Sequence, residues 1–275
     1  MRTPSKWVVA AVVLLLAGIV GLVLRESRLT NAPQAPPVAA PTAAATPAPV
    51  QAPAASEPAV HYPIETASAP VAGPADMEHV LAEVFGAKPV RSMFQLPDFA
   101  RRFVATVDNL GRSQAPSGLW PLNPAGGRFI VERRGDSQVL GADNAQRYTP
   151  YVLLLENVDM SVLAATYTRL YPLFQQAYEE LGYPGRYFND RLVQVIDQLL
   201  ATPIPEAPLR MHLPTIAATE QPQRPWVLYE FDDPALQSLS AGQRLLLRMG
   251  PVNERRVKAR LAEFRRLVAR GAVQR

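Results

Sequence analysis

The 275-residue chain contains no cysteine and only three histidines. Without cysteine it can form neither a disulfide framework nor a thiolate metal site, and it offers no thiol for lipid attachment. His61, His79 and His212 lack metal-ligand spacing, so we predict no metal site and no cofactor. The sequence also contains no Gly-x-Ser-x-Gly elbow, no P-loop and no Gly-x-Gly-x-x-Gly fingerprint, which argues against the common hydrolase and nucleotide-binding classes.

Charged residues are absent from residues 7–24, WVVAAVVLLLAGIVGLVL. These 18 residues, at a helical rise of ~1.5 Å, make a helix of about 27 Å, which is long enough to cross a bilayer. Arg25, Glu26 and Arg28 follow directly, where a cleaved signal peptide would carry small residues. We therefore expect an uncleaved transmembrane signal-anchor helix in a bacterial inner membrane, after a cytoplasmic tail at residues 1–6.

The orientation of this span is not decided by basic residues, because two precede it and two follow it. A short tail before the span and a long domain after it favour export of the domain. We expect the C-terminal part of the chain to lie in the periplasm.

Proline and alanine dominate residues 25–75, and eleven of the 28 prolines lie between Pro33 and Pro74. This stretch has no periodic apolar face and little charge, so it cannot bury enough surface to fold. We predict a disordered, extended linker, in which His61 and Tyr62 have no evident role. The alternative is a set of short proline motifs that dock on a partner.

Helical periodicity dominates residues 76–275, which we assign to one mainly helical (α+β) domain. Helices are expected near residues 76–85, 97–110 and 253–270, the second with Phe99, Phe103, Val107 and Leu110 on its buried face. Residues 144–158 fit either a helix or a strand, and we favour a helix interrupted at Pro150. A small antiparallel β element is expected at residues 127–140, with its turn at Arg134-Gly135-Asp136. Residues 226–231, WVLYEF, form a further predicted strand that pairs with this hairpin.

A helical hairpin is predicted at residues 167–203, where aromatic and aliphatic residues recur at helical spacing. Pro172 lies inside the first helix, so we expect a kink or a break there. Gly182 and Pro184 end that helix, and Asn189 or Asp190 can cap the second one.

The turn of this hairpin supplies one candidate binding site: Tyr183, Tyr187 and Phe188. The aromatic residues around it have two interpretations. They pack in the core with their hydroxyls near polar partners, or they line a groove that stacks on glycan rings or holds a partner peptide. The three turn residues need not lie on the buried stripe, so they are our candidates.

The C-terminal helix supplies a second candidate site, because residues 253–275 carry eight basic and two acidic residues. Arg255, Arg256 and Arg260 are the candidates for binding a polyanion or anionic lipid. The alternative is an ordinary solvated helix face.

Neighbouring carboxylates are the remaining feature that could take part in catalysis. They occur as Glu179 with Glu180, Asp190 with Asp197 and Asp232 with Asp233. A glycosidase would need two such groups about 5–10 Å apart in a cleft. Helix faces and caps explain these positions, so we predict no catalytic residues.

Two long segments, RLYPLFQQAYEELGYPGRYFNDRLVQVIDQLLATP and YEFDDPALQSLSAGQRLLLRMGPVNERRVKARLAEFR, resemble a proteobacterial family of unknown function, number three thousand and fourteen. The resemblance covers roughly residues 100 to 270. It implies an uncharacterised, membrane-anchored layout with a Pro/Ala linker, and it implies no activity.

These observations favour a single-pass inner-membrane protein whose periplasmic domain binds or scaffolds an envelope protein or peptidoglycan. One alternative is a cell-wall hydrolase that uses a carboxylate pair. Another is a cytoplasm-facing polyanion binder, although no aromatic–basic motif of a nucleic-acid-binding protein is present.

Overall fold

A computed structural model describes residues 59–65, 73–215 and 225–270 of the chain. The described part is mainly helical with a small antiparallel sheet, which confirms the predicted α+β class. The helices are α1 Met77–Phe85, α2 Ala87–Met93, α3 Phe99–Leu110, α4 Asn144–Glu156, α5 Met160–Glu180, α6 Phe188–Leu200, α7 Pro234–Gln237, α8 Ala241–Arg248 and α9 Pro251–Val268. The strands are β1 Val131–Arg134, β2 Ser137–Leu140, β3 Arg210–His212 and β4 Glu230–Phe231.

The predicted tail at residues 1–6 and the predicted membrane span at residues 7–24 lie outside the described residues. Within the described ranges, no helix combines the length and the apolar character that a membrane span requires.

The sheet is antiparallel in the order β1-β2-β3-β4. Strands β1 and β2 form the predicted hairpin, and Gly135 in its turn has a positive φ of 58°. The prediction that residues 226–231 pair with the hairpin is wrong, because β3 lies between them and pairs Met211 with Phe231. No sequence pattern indicated β3, since three residues are too few for an alternating pattern to stand out.

Four helices (α3, α5, α6 and α9) enclose the main core, and aromatic rings fill its centre. The Phe103 ring of α3 lies 4.7 Å from that of Phe174 on α5 and 5.9 Å from that of Phe188 on α6. Tyr167 packs edge-on against Phe264 of α9 at 5.8 Å. The apolar stripes predicted for α3 and α5 are therefore the faces that the fold buries.

Prolines inside two helices do not interrupt them. Pro150 lies within a continuous α4 and Pro172 within a continuous α5. The interruption predicted at Pro150 and the break predicted as one alternative at Pro172 are therefore wrong, whereas the kink at Pro172 stays a prediction. A mid-helix proline costs about 3 kcal/mol through its missing N–H and its ring clash. We attribute the continuity to core packing on both sides of each proline, which exceeds this cost.

The start of α6 is capped by the preceding helix instead of by Asn189 or Asp190, so that prediction is also wrong. Oε1 of Gln175 accepts from the backbone N–H of Phe188 at 2.8 Å. The hydroxyl of Tyr171 accepts from the N–H of Asn189 at 3.3 Å. Because α5 supplies both acceptors, Asn189 and Asp190 are free to make other contacts.

Helix α8 approaches α3 and α6 closely at Gly242. A Cβ atom at this position would lie 2.6 Å from Cδ2 of Leu199 and 3.1 Å from the carbonyl oxygen of Leu110. We predict that Gly242→Ala destabilises the fold by about 1–3 kcal/mol, since overpacking outweighs the better helix propensity of alanine. Urea unfolding of the full chain, followed by the fluorescence of buried Trp120, measures the change.

Gly126→Ala is the matched control, because a Cβ there meets no atom within 4 Å. Equal unfolding midpoints for the two variants would contradict the close packing of α8.

Candidate functional site

Residues 59–65, here called the docked segment, lie against the start of α6. The Asp190 carboxylate accepts from two consecutive backbone N–H groups, those of His61 at 3.0 Å and Tyr62 at 2.8 Å. The Tyr187 hydroxyl accepts from the N–H of Ile64 at 2.6 Å. Part of the stretch predicted to be linker is therefore held by the domain, and His61 and Tyr62 have a structural role.

Asn189 completes this attachment from inside the core. Its side chain is fully buried, and Nδ2 donates to the carbonyl oxygen of Tyr62 at 2.8 Å. The side chains of Tyr62 and Ile64 pack on the edge of the main core. Backbone hydrogen bonds and two apolar side chains together fix the docked segment.

A groove of about 780 Å³ opens between the docked segment, the end of α3 and the turn between α5 and α6. We call it the α5–α6 groove. Its charged residues balance, with three arginines and three aspartates. Its charged and aromatic lining consists of Tyr62, Asp108, Arg112, Tyr178, Tyr183, Arg186, Tyr187, Asp190, Arg191 and Asp197.

One wall of the groove is organised by Asp108, a carboxylate that is only 4% exposed. It pairs with Arg112 at 2.8 Å and with Nε of Arg191 at 2.9 Å, and it accepts from the Tyr183 hydroxyl at 3.1 Å. The charge of Asp108 raises the pKa of the Arg112 guanidinium. This network holds the wall in one arrangement before any ligand arrives.

The three aromatic candidates from the turn separate into two roles. Tyr183 and Tyr187 line the groove, and the Tyr183 ring stacks on Tyr178 at 4.5 Å. Phe188 is fully buried among Phe103, Phe174 and Tyr178. Phe188 is therefore a core residue and cannot contact a ligand, because the first turn of α6 points it inward.

The basic candidates of α9 also separate. Arg256 forms a bidentate ion pair with Glu156 at the end of α4. Arg260 pairs with Glu263 at 2.5 Å and donates to the backbone carbonyls of Leu155, in the last turn of α4, and Val158, just after it. Both arginines therefore attach α9 to α4, and Arg255 is the exposed member of the three. The structure does not bring these arginines together as one ligand-binding surface.

The carboxylate pairs proposed for hydrolysis all have structural partners. Glu179 and Glu180 accept from the glutamine one turn earlier on α5. Asp190 holds the docked segment, and Asp197 pairs with Arg265. Asp232 contacts His212, and Asp233 caps α7. Asp190 and Asp197 both line the α5–α6 groove, and each is engaged there by its structural partner.

Within residues 59–65, 73–215 and 225–270, no three histidine or carboxylate side chains are grouped to hold a metal ion. Glu254 on α9 is a buried carboxyl, only 1% exposed, that lies outside the groove. Burial raises the pKa of Glu254, and Lys258 at 2.9 Å opposes that change.

Several residues of the site were missed or misassigned from the sequence. Asn189 and Asp190 look like helix caps, and Asp108 looks like a residue on the polar side of α3. A sequence signal exists only for the first two, as polar residues directly after an aromatic turn. Important partners are distant along the chain: Tyr183 lies 75 residues from Asp108, and His61 lies 129 residues from Asp190. Local patterns carry no information about such pairs.

A family model described as "Protein of unknown function (DUF3014)" matches residues 99–265, which is more than half of the chain. The matched range includes α3 through most of α9, and thus the residues of the domain that form the groove. The docked segment lies outside it. No curated protein and no solved structure matches the chain.

We predict that Glu254→Gln changes the pH dependence of stability. The native pKa of Glu254 lies above the ordinary value of 4.5, so the native state binds this proton more tightly than the unfolded chain does. The wild-type protein therefore loses stability as pH rises from about 4.5 through the native pKa, by at most ~1.4 kcal/mol per pH unit. The glutamine variant does not titrate, so its stability relative to wild type should increase across that range.

Urea midpoints measured at several pH values between about 4 and 8 check this prediction. Exposed Glu206→Gln removes the same charge without burial and is the control. Lys258 also donates to the carbonyl oxygen of Thr202, so the Glu254→Gln variant does not leave this ammonium group without an acceptor. A stability difference that stays constant with pH, or falls as pH rises, would contradict the assignment.

Proposed function

We propose that this chain, which belongs to the DUF3014 family of proteins of unknown function, is a membrane-anchored protein that binds an extended segment of a cell-envelope partner. The anchor is the charge-free segment at residues 7–24, placed in the inner membrane. The helical domain then lies in the periplasm, and the α5–α6 groove is its binding site.

The observation that carries the proposal is how the groove holds the docked segment. Asp190, Tyr187 and Asn189 bond to the backbone of residues 61–64, which every polypeptide offers. Recognition through main-chain hydrogen bonds supplies affinity, while adjacent pockets select side chains. A site built in this way suits an extended peptide better than a sugar or a reacting bond.

The groove also has capacity beyond the docked segment. Its open volume lies beside His61 and Tyr62, next to the Tyr183 ring and the exposed side chain of Arg186. Aromatic rings and a guanidinium are the groups that most often anchor protein partners. A partner segment can therefore bind beside the docked segment or replace it.

The absence of cysteine makes a direct test of the docked segment practical. In an Ile64→Cys variant, the new thiol is the only one in the chain and is partly covered by the domain. We expect slow labelling by a maleimide. Adding Asp190→Ala should speed labelling by about tenfold or more, because the substitution removes the acceptor for two backbone N–H groups. Asp136→Ala, in the exposed hairpin turn, is the control and should leave the rate unchanged.

The same assay tests binding of a peptide from solution. Excess AVHYPIE, the sequence of the docked segment, should raise the labelling rate of the introduced thiol by competing for the groove. An unchanged rate with the peptide, while Asp190→Ala still raises it, would show that the groove serves only its own chain. Equal rates in all variants would overturn the proposed mode of attachment.

Topology is the second test. Alkaline phosphatase fused after Arg275 should be active, and a fluorescent protein that matures only in the cytoplasm should stay dark at the same position. The reverse pattern would overturn the periplasmic assignment. It would make the exposed face around Arg255 a candidate surface for a cytoplasmic polyanion.

A further inference from the structure

A second pocket of about 300 Å³ shares no residue with the α5–α6 groove. It lies between the loop at residues 113–117, the segment at residues 227–230 that leads into β4, and one face of α8. Its walls combine apolar residues with two arginines. The apolar part includes Ala115, Pro116, Val227, Leu228, Ala241 and Leu245.

The two arginines, Arg244 and Arg248, lie one helical turn apart on α8 and so face the same side. Both are partly buried. In the described part of the chain, neither has a carboxylate oxygen within 4.0 Å of its guanidinium, whereas the partly buried Arg191 and Arg256 pair with Asp108 and Glu156. Two neighbouring, partly buried cations that no carboxylate of the described residues contacts directly are costly, and most buried charges in proteins are paired.

The hydrogen bonds that these arginines make to described residues use only some of their donors. Two guanidinium groups carry ten N–H donors in total. Arg244 donates to the carbonyl oxygens of Gln237 and Ser113, and Arg248 donates to that of Tyr229. Nε of Arg248 is buried and has no acceptor among the described residues. Among the described residues, bracing of the loops therefore uses three of the ten donors.

Aromatic rings compensate part of the charge of Arg248, whose guanidinium lies 5.6 Å from the ring centres of Phe129 and Phe231. Burial nevertheless lowers the pKa of both Arg244 and Arg248. A bound anion would offset the desolvation of both groups and accept from their free N–H donors.

The charge and the walls of the pocket narrow the class of anion. Arg244 and Arg248 contribute two positive charges and Glu230 contributes one negative charge, so the charged side chains among the described lining residues sum to +1. A single negative charge balances this sum, and the planar guanidinium fork matches a carboxylate. The apolar walls suit a hydrocarbon body. We infer that the pocket binds a small organic monocarboxylate, with its carboxylate on Arg244 and Arg248.

Benzoate and benzamide are matched probes, because they share a ring and differ in charge. Calorimetric or ligand-observed NMR titration of the full chain should show benzoate binding about tenfold or more tightly than benzamide. Arg244→Gln should weaken benzoate binding by about tenfold and leave benzamide binding unchanged. Exposed Arg133→Gln on β1 is the control and should leave both affinities as in wild type.

Arg248→Lys is a second variant that keeps the charge but loses the planar fork, and it should also weaken benzoate binding. Circular dichroism confirms that each variant is folded. Equal affinities for benzoate and benzamide, no binding of benzoate at millimolar concentration, or equal effects of Arg244→Gln and Arg133→Gln would overturn the inference. Tighter binding of phenyl phosphate than of benzoate would overturn the assignment to a monocarboxylate.

Discussion

The buried amide of Asn189 is the interaction on which the rest of the structure depends. Nδ2 donates to the carbonyl oxygens of Val268 at 2.9 Å and Tyr62 at 2.8 Å, and Oδ1 accepts from the Tyr167 hydroxyl at 3.0 Å. One side chain on α6 therefore joins α5, the end of α9 and the docked segment. Because the amide is fully buried, loss of any one bond leaves a polar group without water, which costs about 1–3 kcal/mol.

The aromatic residues around this amide serve both the core and its surface. Tyr167 and Phe188 are buried among other rings, whereas Tyr183 and Tyr187 place their hydroxyls at the groove. The spacing of these residues in the sequence distinguishes those on the buried stripe of α5 from those in the turn. It does not separate Tyr187 from Phe188, because the first residue of α6 is fixed by acceptors on α5. One residue along the chain decides whether a ring faces the core or the groove.

The charged residues show the same dependence on tertiary contacts. The excess of arginine in α9 suggests a basic surface, but Arg256 and Arg265 pair with Glu156 and Asp197 on other helices. No sequence pattern singled out Arg244 and Arg248 of α8, yet both are partly buried and neither has a carboxylate partner in the described part of the chain. Net charge counts residues, whereas binding depends on which charges remain unpaired after the helices pack.

The sequence alone determined the mainly helical class, the buried faces of α3 and α5 and the position of the β-hairpin. These features are local, since a helical or alternating period and a turn residue lie within a few positions of each other. Only the tertiary structure decided the cap of α6, the order of the strands, the continuity of α4 and α5 and the residues of the groove. Those outcomes depend on contacts such as that between Asn189 and Tyr62, which are 127 residues apart. No local pattern encodes such a pair, because its energy arises only when packing removes both groups from water.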